Sequence, residues 1–129
     1  MILNLNENEI DYIEFNKKKN NIELKNEEIE ERNITGCLNI MNSNFIIQKI
    51  KINGSNCEDG LNIVRSTGLI ENLEVSNVIS DGVDFDYSNV EVKNLNFYNA
   101  GGDCIDLSFG KYKLINSNTN KCGDKGFSA

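Results

Sequence analysis

The chain has 129 residues, enough for one domain with its own core. Its formal net charge of −7 opposes binding to a phosphate backbone, and no apolar run approaches the ~18 residues of a membrane-spanning helix. It contains no Pro to interrupt a strand ladder and no His to serve as base, metal ligand or triad member.

In chain order, residues 1–14 are predicted to cap the fold. Residues 15–32 are charge-rich and predict an irregular first coil, because Leu24, Asn26 and Ile29 align with rows that recur later. Residues 33–129 carry a regular repeat. The pattern small–apolar–polar–apolar reads CLNI at Cys37, GLNI at Gly60, GVDF at Gly82, CIDL at Cys104 and GFSA at Gly126, in steps of 23, 22, 22 and 22. Three apolar rows run with it: Phe15, Leu38, Leu61, Val83, Ile105, Phe127; then Leu24, Ile47, Ile70, Val92, Leu114; then Ile29, Ile52, Val75, Phe97, Thr119. Within each turn apolar and polar residues alternate, as in Val90-Glu91-Val92, which is strand periodicity. Short strands repeating at this period predict an all-β, right-handed parallel β-helix of about four to five coils, with the last coil incomplete. The 23 Asn residues fit a chain that turns often, and the row Asn26, Lys49, Asn72, Asn94, Asn116 predicts an amide ladder at one bend.

The cysteines are predicted to be free. Cys37 and Cys104 share a row but lie three coils apart, about 14 Å at the coil spacing, against a Cα limit of ~7 Å for a disulfide. Cys57 and Cys122 have no cysteine as a row neighbour. With no leader visible at MILNLNENEI, the chain reads as cytoplasmic as it stands, or surface-associated if it belongs to a larger protein.

The candidate site is acidic. If Val83 and Phe85 point inward, Asp84 and Asp86 point outward, and Asp106 and Ser108 take the same places one coil on. The outward row is Asn39, Asn62, Asp84, Asp106, Ser128; beside it runs Gly36, Asp59, Asp81, Asp103, Lys125. Like charges opposed on a sheet are destabilising, so something must offset them. Lys125 is the expected counter-ion to Asp81 and Asp103. Three uses fit: shaping turns on a soluble face, a Ca²⁺ site at Asp84, Asp86 and Asp106, or acid–base cleavage of a polysaccharide by paired carboxylates.

The segments NCEDGLNIVRSTG (56–68), SDGVDFDYSNV (80–90), GGDCIDLSFGKY (101–112) and CGDKGFSA (122–129) resemble a bacterial family of right-handed parallel β-helix repeats, found in surface-polysaccharide-related and CotH-like proteins. More distantly, DGVDFD and GGDCID are similar to aspartate-bearing strands of polygalacturonases and alginate C5-epimerases. That similarity implies that Asp81, Asp84, Asp103 and Asp106 fall where catalytic carboxylates lie; the His and Arg completing those sites have no counterpart here. The expectation is a non-catalytic module that presents an Asn/Asp face to a polysaccharide or a cation, or serves as a spacer. The alternatives are a lyase, epimerase or hydrolase using the aspartates, with Lys125 as a base candidate, and a unit stacking end to end on a second copy through its uncapped C-terminal coil.

Overall fold

The computed structural model describes residues 1–16, 36–54 and 57–129. It is a parallel β-helix of about four turns, with two six-stranded parallel sheets and no helix among the described residues. One sheet is built from short strands: β1 (Ile2–Leu3), β4 (Gly36–Met41), β6 (Asp59–Val64), β8 (Val83–Asp86), β10 (Ile105–Ser108) and β12 (Phe127–Ser128), stacked in that order. The other holds the long strands β5 (Asn44–Asn53), β7 (Thr67–Val78), β9 (Asn89–Ala100) and β11 (Lys111–Cys122), with β2 (Asn6–Ile10) and β3 (Ile13–Asn16) both pairing with β5.

The rows are those the repeat predicts. Leu61 pairs with Val83 and Val83 with Ile105; Ile47 pairs with Ile70, then Val92, then Leu114; Ile52 pairs with Val75, then Phe97, then Thr119. Their side chains fill the interior, where Ile47, Ile50, Ile63, Ile70 and Ile105 are fully buried. The small position of the repeat is a contact requirement. A Cβ on Gly82 would come within 2.6 Å of both the Cys104 carbonyl oxygen and the Phe97 ring.

The first coil differs from the sequence expectation. Phe15 pairs with Ile52, not in the Leu38 row. Leu3 pairs with Ile40, and Ile10 with Ile47, so residues 1–16 supply strands of a coil of their own, stacked by pairing on the next. The step from this coil to the next is 37 residues, and a search at 22 or 23 misaligns it. The residues Leu24, Asn26 and Ile29 lie outside the described residues.

The cysteine expectation is overturned. Cys37 bonds Cys57 and Cys104 bonds Cys122, each pair with Cα atoms 5.3 Å apart. Rows relate residues from one coil to the next along the axis, and no two cysteines are neighbours in a row. These partners lie 20 and 18 residues apart, almost one full turn, so the chain returns to the corner it left. Each bridge closes one coil upon itself. Two disulfides and no free thiol point to an oxidising, extracellular compartment, and the cytoplasmic placement is withdrawn.

Candidate functional site

The short-strand sheet places the acidic rows in the register expected. Asn39 pairs with Asn62, Asn62 with Asp84, Asp84 with Asp106, and Asp106 with Ser128; Asp86 pairs with Ser108. The row is not uniformly open. Asn39 and Asn62 are fully buried and hydrogen-bonded to each other at 3.3 Å, and Asn39 also bonds the backbone at Gly36 and Met1. Asp84 and Asp106 are half-buried. The drift from Asn to Asp therefore follows a passage from a covered sheet face to a wetter one.

The neighbouring row is a backbone device. The Asp81 N–H donates to an Asp59 carboxylate oxygen (3.2 Å), the Asp103 N–H to Asp81 (2.8 Å) and the Lys125 N–H to Asp103 (2.9 Å). Each carboxylate ties one coil to the next, which accounts for Asp81 and Asp103 structurally. Lys125 contributes its amide to this ladder. Its ammonium lies 3.9 Å from the exposed Asp124, so it is not the counter-ion to Asp81 and Asp103 that the row suggested.

Among the described residues no ion pair reaches Asp84, Asp86 or Asp106. Nor is any group of three or more acidic or thiol side chains there arranged to hold a metal ion. Burial, reinforced by the negative charges of Asp86, Asp59, Asp106 and Asp81, pushes the Asp84 carboxyl up to about 7. Burial also raises Asp81, against the lowering effect of the Asp103 N–H it accepts. Asp84 thus takes up a proton near neutrality, which relieves the repulsion the stack creates.

Immediately after β4, β6, β8 and β10 the chain turns through a left-handed residue. These form one row: Asn42 (φ 51°), Arg65 (48°), Tyr87 (50°) and Phe109 (44°). Asn suits that conformation, whereas a bulky side chain there is an outlier. Arg65 donates from Nε to Asn42 Oδ1 at 3.1 Å. Tyr87 and Phe109 are both exposed, Phe109 by 74%, and their rings stack nearly parallel with centroids 5.0 Å apart. They follow Asp86 and Ser108 directly, so two aromatic rings border the acidic face.

No family model, curated protein or solved structure matches the chain.

Behind the aromatic corner runs a serine ladder that fixes its backbone. The Leu5 N–H donates to Ser43 Oγ (2.7 Å), Ser43 N–H to Ser66 Oγ (3.0 Å) and Ser66 N–H to Ser88 Oγ (3.0 Å). Each hydroxyl donates in turn to the carbonyl two residues back, at Met41, Val64 and Asp86. At the next coil the row reaches Gly110, which has no hydroxyl. The Tyr112 hydroxyl takes the vacant place, accepting from Ser88 N–H (3.3 Å) and donating to the Ser108 carbonyl (2.9 Å). The sequence reading missed Tyr87, Phe109 and this ladder. The signal was present: Asn42, Arg65, Tyr87 and Phe109 recur at the same steps as the opening motif, one position before Ser43, Ser66, Ser88 and Gly110.

Proposed function

We propose that this chain is a non-catalytic β-helix module, working outside the cytoplasm, that binds a hydroxyl-rich polysaccharide where its acidic face meets Tyr87 and Phe109. The observation that carries the reading is the stacked aromatic pair on left-handed backbone. A non-glycine residue in that conformation costs roughly 1–2 kcal/mol, and a stacked pair returns about 0.5–1.5 kcal/mol. The fold gains little from two bulky, exposed rings at these positions, so a ligand is the better account of them. Flat rings offer an apolar platform to a sugar face, and Asp84, Asp86, Asp106 and Ser108 offer acceptors for its hydroxyls. The net charge of −7 favours neutral or amine-bearing chains over polyanions.

The test uses affinity electrophoresis in gels containing neutral polysaccharides. The double variant Tyr87→Asn/Phe109→Asn should lose retention by about tenfold or more while melting at the same temperature or higher, since Asn suits a left-handed position. Unchanged retention in that variant would remove the aromatic edge from the reading.

One observation favours a second reading, a glycoside-cleaving enzyme. Asp84 titrates at about 7, as a general acid requires, and Asp106 sits across the ladder at a spacing of ~4.8 Å, near that of retaining carboxylate pairs. New reducing ends, released by the parent and not by Asp84→Asn, would establish it. The binding-module reading expects none from either protein.

A further inference from the structure

The outer face of the long-strand sheet carries two adjoining depressions of about 390 Å³ each, which share Asn96 and Asn118. They lie on a different sheet from the Asp84–Asp106 row. We infer that this trough is a second binding site, shaped for an uncharged, hydroxyl-rich chain such as a neutral glycan.

The asparagines at the bends of this sheet differ from those in the trough. One group serves the fold. Asn72 and Asn94 donate to the Gln48 and Glu71 carbonyls of the preceding coil, Asn116 donates to Asn94, and Asn99 and Asn77 donate to Asn77 and Asn53. These ladders hold the bends. The second group is Asn96, Asn118 and Asn120, all exposed, whose side chains make no hydrogen bond among the described residues. Asn96 pairs in register with Asn118, so two unused amides stand one above the other. Asn is depleted in strands because it packs poorly on a pleated surface, and here no ladder offsets that cost.

The chemistry of the trough selects the ligand. Each free amide presents a donor pair and an acceptor, which matches a hydroxyl that both donates and accepts. Charge is balanced, with Lys51 and Glu74 both on the wall and Glu74 paired to Lys49 at 3.0 Å. Tyr98 provides an exposed ring at one side, with the Lys121 ammonium 5.4 Å from its centroid. Asn118 and Asn96 stand one coil apart, so a chain lying along the helix axis meets two amides in succession and then the Glu74 and Lys51 of the same row.

The test compares the parent with Asn96→Ala/Asn118→Ala/Asn120→Ala in affinity electrophoresis against hydroxyethylcellulose, galactomannan and soluble starch. Polygalacturonate serves as the charged control. Both proteins carry Tyr87→Asn/Phe109→Asn, which isolates the trough from the aromatic edge. On at least one neutral polymer the expected result is retention of the parent, weakened about tenfold or more by the triple substitution, with the melting temperature unchanged or raised. Retention by polygalacturonate alone, equal retention of both proteins, or no retention on any of the three neutral polymers would overturn the inference. Asn94→Ala serves as the contrast: it should lower the melting temperature, because its amide is a coil-to-coil bond.

Discussion

At the residue scale, the serine and aspartate ladders and the Asp84 carboxyl have separate consequences for stability. Ser66 Oγ is the acceptor for a buried amide, so Ser66→Ala should cost about 1–3 kcal/mol in chemical denaturation. Tyr112→Phe removes the group that stands in for the missing serine at Gly110, leaving Ser88 N–H without its partner, and should cost ~1 kcal/mol or more. Asp84 acts through pH. Its carboxyl titrates at about 7 in the folded chain, above its value of 3.8 when unperturbed. Between those values the folded state holds a proton that the unfolded state has released, so stability falls as pH rises from about 4 to 7. Asp84→Asn, which removes the charge, should therefore raise the melting temperature at pH 8 by a few degrees, corresponding to ~1 kcal/mol after allowance for solvent screening. At pH 3, below both values, the two proteins should melt together. None of this was legible from residue types alone. The row of Asp84 and Asp106 was, because it follows from period-2 alternation within a fixed repeat; the burial of Asn39 and Asn62 beneath the same row was not, because covering a sheet face is a tertiary event.

At the scale of the coil, the repeat fixed every row from Gly36 onward, since small and apolar residues in register leave one way to stack parallel strands. It failed at residues 1–16, where the coil step lengthens and Phe15 moves to the Ile52 row. It failed again at the cysteines, because periodicity describes neighbours along the axis and says nothing of where a turn meets its own beginning. The coil closures have a measurable weight. Cys104→Ser/Cys122→Ser opens a loop whose ends are 18 residues apart and should cost about 3 kcal/mol, read as a fall in denaturation midpoint. Cys37→Ser/Cys57→Ser should cost a similar amount, its separation being 20. Dithiothreitol added to the parent should reproduce the sum of the two, and have no effect on the quadruple variant.

At the scale of the molecule, the solenoid is one-dimensional: each coil is held by its neighbours, and a weak coil is a weak link. The two faces divide the work. The short-strand face concentrates carboxylates and ends at stacked aromatic rings, whereas the long-strand face is nearly neutral and rich in unused amides. Both are proposed sites for hydroxyl-bearing polymers, one on each sheet of the solenoid. The disulfides bear on how such a solenoid is made. Four cysteines allow three pairings. Here each cysteine is joined to its nearest cysteine in the chain, within a single coil, and the two pairs are separated by the long interval from Cys57 to Cys104. The first bridge needs nothing synthesised after Cys57. It can form while the rest of the chain is still being extruded, and it then presents a closed coil on which the following turns can assemble in order of emergence. Oxidation of this protein is thus suited to vectorial export, where a partner half a chain away would force the first thiol to wait.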